Sequence, residues 1–454
     1  MRRIAFLVLL LFSTAGASSA EPFSTESQEG LTLPEAVRYA LEHSPDLQAA
    51  KAEVAQREGT ATTERSALFP QIEVLGDVTH TGYDHGYPPA TPPQVIRFDD
   101  TLFMAGAEFK FLVWDFGQTA KEVAAAKKRI LSGKAAQDRR TQQVIYAVAS
   151  LYLQTLTYVD LADAAQSTRT SLQALLQRTQ DLAEAGRAVP ADVLKVSTRL
   201  AQIESDLATL EAKRQASISQ LCAAMGLEGE PPRLAYTPPV TGPLPAPGSE
   251  AELVREAVAH RPDLASSQSE IEAARDHETA VRRSRLPRTD LRAGAYQTFA
   301  FDPVSSFDRQ GPKPDDAAGD WIVGLHLTLP VFDAGRRSGQ IRSAAAQTER
   351  ARAAERRLRL DVESEVRSAL AELASAEKRV EATQQSVAQA EEVLRTERLK
   401  YEAGRGVINF VLDAEAALLT SKSLLRQAQR SVSLDMLLLD LALGRLTPTS
   451  TSSP

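Results

Sequence analysis

The pattern of apolar and polar positions is dominated by one stretch. From Gly335 to Gly404 the chain contains no Pro, and its only internal Gly is Gly339, near the start. Within it Val366, Leu373, Val380, Val387, Leu394 and Tyr401 recur every seven positions, and Ala369, Ala376, Thr383 and Ala390 fall three places after the first four. Large residues alternating with small ones at a and d positions are the mark of a coiled-coil-like packing seam. At about 1.5 Å per residue the predicted helix is roughly 100 Å long, whereas helices of globular proteins average about 11 to 12 residues. A compact core has no use for that length.

A second stretch of the same kind is predicted from about Gln118 to Glu184. Its seam runs through Val148, Leu151, Thr155, Tyr158, Ala162, Ala165, Leu172, Leu176, Thr179 and Ala183; Arg169 interrupts it, and Gly133 weakens the helix. Each long helix follows an Asp-x-Gly turn, Asp115 to Gly117 and Asp333 to Gly335. The carboxylate can accept from an orphan N–H of the first turn, and Gly permits the tight reversal. Gly186 and Gly404 read as C-terminal stops. Return helices are expected from about Ala191 to Met225 and from about Phe410 to Leu443. Upstream, Leu33 to Leu68 has helical periodicity, with Pro34 suited to a first turn, Pro45 forcing a break and Pro70 ending the element.

Period-two alternation marks the remaining elements. Ile72, Val74, Gly76 and Val78 oppose Glu73, Leu75, Asp77 and Thr79. After a Pro-rich loop placed at Gly82 to Asp100, Phe103, Ala105, Ala107, Phe109, Phe111 and Val113 oppose Met104, Gly106, Glu108 and Lys110. Further on, Leu291, Ala293 and Ala295 share one face. Beyond a polar loop at Phe301 to Gly319, Trp321, Val323, Leu325, Leu327 and Leu329 oppose Gly324, His326 and Thr328. An apolar face opposite a small or charged one, over about ten residues, is the pattern of a membrane barrel strand; a half-buried strand of a soluble sheet is the alternative.

These elements come twice. His43-Ser44-Pro45-Asp46-Leu47 returns 217 positions on as His260-Arg261-Pro262-Asp263-Leu264, and Leu68-Phe69-Pro70 returns around Arg285-Leu286-Pro287. Val113 to Gly117 matches Val331 to Gly335, Ala185-Gly186-Arg187 matches Ala403-Gly404-Arg405, and Met225-Gly226 matches Leu443-Gly444. Five matches in order at a nearly constant offset indicate an internal duplication. The expected units are a leader at 1–20, a first repeat at 21–227, a Pro-rich connector at 228–249, a second repeat at 250–446 and a disordered tail at 447–454.

Composition narrows the reading. Arg2 and Arg3, the apolar run Ile4 to Phe12 and the small residues Ala17 to Ala20 have the form of a cleaved secretory signal. No Cys follows to carry a lipid. No later window of about 20 residues reads as continuously apolar, so a membrane-embedded part is expected to be built from strands. Net charge is −7, with basic residues scattered rather than clustered, which argues against a nucleic-acid partner. One Cys, Cys222, leaves no disulfide framework. The six His (His43, His80, His85, His260, His277, His326) are dispersed without ligand spacing, and no Gly-x-Ser-x-Gly elbow or phosphate loop is present. No catalytic residue, cofactor or metal is expected.

Four strands cannot close a barrel, and the smallest membrane barrels have about eight, so the pattern demands oligomers: two chains would give eight strands, three would give twelve. The junction run Leu329 to Arg336, the early Ala-Leu-x-x-Ser-Pro-Asp-Leu of Ala40 to Leu47, the helix end Tyr401 to Gly404 and the duplicated order of elements resemble the TolC-like outer membrane efflux proteins of Gram-negative bacteria. The resemblance covers essentially the whole mature chain. It implies an α+β membrane protein: a homotrimer whose composite 12-stranded β-barrel, four strands per chain, continues into an α-helical coiled-coil tunnel across the periplasm. The implied function is passive export in a tripartite efflux or type I secretion system, with a periplasmic adaptor and an inner-membrane pump as partners. Phe103, Phe109, Phe111, Trp321, Val323, Leu325 and Leu327 are then lipid-facing, and Asp115, Gly117, Asp333 and Gly335 form the strand-to-helix junctions. Gly186, Arg187, Gly404 and Arg405 become adaptor-docking tips. The family constricts its periplasmic aperture with two aspartates three apart; here Asp413 holds the second position but Phe410 the first, and Asp192 lies similarly in the first repeat. The competing reading is a non-membrane periplasmic coiled-coil scaffold or adaptor whose strands form a small soluble sheet.

Overall fold

A computed structural model describes residues 30–86, 95–239, 248–301 and 318–447. The expected leader, most of the expected tail and the prolines Pro88, Pro89, Pro92 and Pro93 lie outside the described residues. The element order is α1 (Leu33–His43), α2 (Pro45–Ser66), β1 (Gln71–Gly86), β2 (Val95–Trp114), α3 (Gln118–Glu184), α4 (Pro190–Met225), α5 (Glu250–His260), α6 (Pro262–Arg283), β3 (Arg288–Phe301), β4 (Ala318–Thr328), α7 (Arg336–Glu402) and α8 (Ile408–Leu443). Two short helices, two strands, a helix of 67 residues and one of 36 therefore follow each other twice.

Local chemistry sets the element ends. Thr32 and Ser249 form capping boxes with Glu35 and Glu252 at α1 and α5, and the Glu35 carboxyl is held below its ordinary pKa by the Thr32 backbone N–H and hydroxyl. Pro45 and Pro262 sit in the first turns of α2 and α6. All four long helices run into a left-handed glycine: Gly186, Gly226, Gly404 and Gly444 have φ of 69 to 76°.

The helices pack in rows with three separate apolar clusters rather than as a bundle around one core. In one row α2 packs on α3, α3 on α6 and α6 on α7; in the other the order is α4, α3, α8, α7. The seam positions Val366, Ala369, Leu373, Ala376, Leu394 and Tyr401 of α7 are buried, while Val380, Thr383, Val387 and Ala390 are half-buried. In α3 Val148, Thr155, Ala165, Leu172 and Thr179 are buried.

The four strands form one antiparallel sheet in the order β1-β2-β3-β4. The first loop is shorter than expected: β1 continues to Gly86 and β2 starts at Val95, so His80 and His85 lie within a strand, whereas the second falls within a residue or two of its expected bounds. The proline cluster signals the turn, but it does not limit how far the ladder runs toward it. Leu329 falls beyond β4, and a register shift between Leu112 and Trp114 takes Val113 out of the expected face. α3 contains an 18-residue window of mean hydropathy 1.3, of which half is buried inside the fold. A helix flanked by α1, α4, α6 and α8 needs more than one apolar stripe, which raises its hydropathy without making it continuously apolar.

Candidate functional site

The sheet has a continuous apolar face. Residues directly opposite one another on antiparallel strands share a face. Ile72 pairs with Phe109, Val74 with Ala107 and Val78 with Phe103; Phe111 pairs with Leu291, and Ala107 with Ala295. Leu291 then pairs with Leu325, Ala293 with Val323 and Ala295 with Trp321. Over residues 71–78, 103–111, 288–297 and 321–328 register thus joins the period-two stripes of all four strands, with Gln297 and Thr289 the polar exceptions within those segments. Among the described residues nothing covers this face: Val74 is 84% exposed, Trp321 78% and Leu325 68%. On the other face Glu73 lies opposite Glu108, Lys110 opposite Arg292, and Asp290 opposite His326. A soluble half-buried sheet needs a partner layer over its apolar side, and among the described residues the sheet's extensive packing is only among its own strands.

Both junctions are built alike. The Gly117 and Thr119 N–H groups donate to the Asp115 carboxylate at 2.9 and 2.7 Å. Those of Gly335 and Arg337 donate to Asp333 at 3.2 Å each. Desolvation raises the Asp333 carboxyl, but the Arg337 hydrogen bonds outweigh it and hold the pKa below its ordinary value. The middle residue of each turn was missed by sequence reasoning. Phe116 and Ala334 are left-handed, with φ of 57° and 51°, directly before Gly117 and Gly335 at 75° and 89°. Two successive left-handed residues reverse the chain from strand to helix, and the strain at a non-glycine position is offset by the carboxylate clamp. Beside these turns Trp114, Phe116, Val331 and Phe332 are exposed, an aromatic and aliphatic band at the helix end of the sheet.

At the opposite end each 67-residue helix closes in a Schellman turn: Arg187 N–H donates to Leu182 O and Arg405 N–H to Lys400 O, both at 2.8 Å. Arg187 and Arg405 themselves are exposed. Phe410 and Asp413 are exposed too, whereas Asp192 is half-buried with Lys195 Nζ 3.5 Å from its carboxylate. Burial, and then the Asp192 charge, push the Tyr401 hydroxyl pKa up. The structure therefore brings Asp192 toward the end of α7 and leaves Phe410 and Asp413 open.

Between the ends, three buried polar clusters tie the row together. The Arg430 guanidinium, 2% exposed, donates to Asp160 Oδ2 at 2.7 Å and to Thr237 O at 2.8 Å, while the Tyr236 hydroxyl donates to Asp160 Oδ1 at 2.7 Å. Tyr152 adds hydrogen bonds to Leu31 O and Ala235 O. The connector, expected to be merely extended, is thus strapped onto α3 and α8. A second cluster caps α8: Arg139 donates to Leu441 O at 2.7 Å and Gln142 to Gly444 O at 2.8 Å, with Arg261 bridging Asp263 and Glu365. The third joins Arg398 of α7 to Glu415 of α8 and Ser171 of α3. Along the strand half, Lys121–Asp276, Lys128–Glu272 and His277–Glu122 pair α3 with α6 at 2.6, 2.6 and 2.9 Å. Sequence periodicity gave no signal for these clusters.

An open wall with one apolar face, carried on a long row of helices, is the geometry of a duct component. The comparisons agree. The chain is 22% identical over 423 residues to the outer membrane efflux protein BepC of Brucella suis biovar 1, covering 92% of this chain and 86% of that one. It is 23% identical over 389 residues to the pyoverdine export outer membrane protein OpmQ of Pseudomonas aeruginosa, covering 84% and 78%. The crystal structure of CusC superposes with a TM-score of 0.75 at 21% identity, over 91% of this chain and 92% of that one. The outer membrane efflux protein profile matches twice, at residues 36–227 and 253–445. The chain belongs to the outer membrane efflux protein family, a family of transport channels.

Proposed function

We propose that three copies of this chain close a 12-stranded barrel in the outer membrane and a helical tunnel beneath it, forming a passive export duct. The observation that carries this reading is the sheet itself, four strands with a bare apolar face and with β1 and β4 at its outer edges. In lipid an unsatisfied strand edge costs several kcal/mol per group, and joining β4 of one copy to β1 of the next removes every edge. The helical row has the same open form, with α7 at one end and α2 and α4 at the other.

The other parts follow. Phe103, Phe109, Phe111, Trp321, Val323, Leu325 and Leu327 meet lipid, and the aromatic band around Trp114 and Phe332 sits at the membrane interface. The turns at Gly186–Arg187 and Gly404–Arg405, with exposed Val189, Leu194 and Val407 beside them, receive a periplasmic adaptor that links the duct to an inner-membrane pump. Phe410 and Asp413 line the aperture, and Asp192 supports it from α4. The leader at 1–20 directs the chain out of the cytoplasm, and energy comes from the pump, since the duct performs no reaction.

Fractionation and bilayer recording test the proposal together. A heat-resistant trimer in the outer-membrane fraction that conducts ions across planar bilayers is the expected result; a soluble periplasmic monomer overturns it.

A further inference from the structure

Lipid accounts for the apolar face of the sheet; the opposite face has a feature of its own. Gly106 of β2 lies directly across from Tyr296 of β3, and Gly294 precedes Tyr296 by two residues on the same strand, hence on the same face. A Cβ placed on Gly106 would stand 2.5 Å from Tyr296 Cδ1, and one placed on Gly294 would stand 2.7 Å from both Cε2 and Oη. The ring therefore lies flat across both glycines. Its hydroxyl donates to Glu108 Oε1 at 2.6 Å, and Glu108 is itself the cross-strand partner of Gly294.

Neither glycine has a left-handed backbone, so conformational freedom does not explain them. Glycine within a strand interior weakens it and commonly marks a place where another group must approach closely. Here that group is the Tyr296 ring. Glu108 also faces Glu73 across β1, a like-charge pair that costs stability, and the tyrosine hydroxyl offsets part of that repulsion while fixing the ring.

We propose that Gly106 and Gly294 form a recess that holds Tyr296 against the inner wall of the barrel, so that this retracted side chain sets the bore of the barrel at its level. The proposal rests on the trimeric barrel reading. In the assembled duct three such rings lie flush with the wall; without the recess each ring turns its edge into the passage.

The test is polymer access in planar bilayers. Polyethylene glycols of increasing size are added on the side of the β1–β2 and β3–β4 hairpins, so that they sample the barrel before the helical tips. Gly294→Val, a residue suited to strands, is expected to exclude polymers that the unaltered channel admits. Gly294→Val combined with Tyr296→Ala is expected to admit them again. An unchanged size limit in Gly294→Val, or a narrowed limit that Tyr296→Ala does not relieve, overturns the proposal. Where Gly294→Val yields no trimer, Gly106→Ala with and without Tyr296→Ala asks the same question from the neighbouring strand and is read by the same criteria. An unaltered protein that forms no channel overturns the duct reading, and this proposal with it; a normal channel with an insensitive size limit overturns this proposal alone.

Discussion

Asp160 and Arg430 stand 270 residues apart in the chain and meet at 2.7 Å with both side chains 2% exposed. They join α3 of the first repeat to α8 of the second, and Tyr236 and Thr237 bring the connector to the same point. Removing one partner leaves the other charge buried alone, which costs about 3–5 kcal/mol. Arg430→Met is therefore expected to lower unfolding stability by about that amount, and Arg430→Met with Asp160→Leu to recover most of it. Denaturant unfolding of the purified protein measures both. A single variant as stable as the unaltered chain would show that the cluster does not hold the connector.

The two faces of the sheet are expected to differ in their tolerance of charge. Arginine on the lipid side of a barrel costs up to about 2–4 kcal/mol, less toward the interfaces. Leu325→Arg is expected to reduce the folded, heat-modifiable form recovered from outer membranes, and His326→Arg, on the other face of the same strand, to leave it unchanged. Equal yields of the two would contradict the assignment of faces.

At the tips, Gly186 and Gly404 have φ of 70° and 69°, and a Cβ on either meets nothing within 4 Å. Any penalty for replacement is then backbone strain alone, about 1–2 kcal/mol for an L-residue held left-handed. Gly404→Val is expected to impair export while trimers still assemble, and Gly404→Asn, which visits this conformation more readily, to be milder. Normal export by Gly404→Val would count against a role for this turn in docking.

His277 supplies a pH dependence with a defined sign. The hydrogen bond that its Nδ1–H donates to the Glu122 carboxylate raises its pKa above the ordinary imidazole value, burial lowers it, and the carboxylate prevails; Arg129 opposes and Glu64 assists. A raised folded pKa gives stability that is fully present below the unfolded pKa, about 6.5, and is lost as pH rises through the folded one. Thermal unfolding of the unaltered protein is expected to lose this increment above pH 6.5, and His277→Asn to remove that part of the dependence. Identical pH profiles would rule out the pair as a contributor.

How much of this was legible in the sequence follows from how local each cause is. Both 67-residue helices could be delimited because an Asp-x-Gly turn and a left-handed glycine lie within a few residues of their ends. The apolar strand face was legible because it needs only period two. Strand length was not: Pro-rich composition marks a turn without saying where the ladder stops, and the loop set at Gly82 to Asp100 was too long. The Arg430–Asp160 and Arg139–Leu441 contacts depend on which helices become neighbours, which periodicity cannot state. Likewise Gly106 and Gly294 look like ordinary strand glycines until register places Tyr296 over both. Of the site residues, the junction carboxylates were found by their turn chemistry, whereas the roles of Phe410, Asp413 and Asp192 came from resemblance and rest on the proposal above.

The equal lengths of the paired helices carry a last consequence. Both descending helices have 67 residues and both returning ones 36, so in the trimer proposed above the six helical hairpins end level. Inserting one residue into either repeat would lower its turn by about 1.5 Å and rotate it by about 100°, tilting the rim and unseating every seam below the insertion. Changes in the depth of such a duct are thus confined to whole-turn or heptad steps made in both halves of the gene at once, and the duplication that built the chain also constrains how its length can evolve.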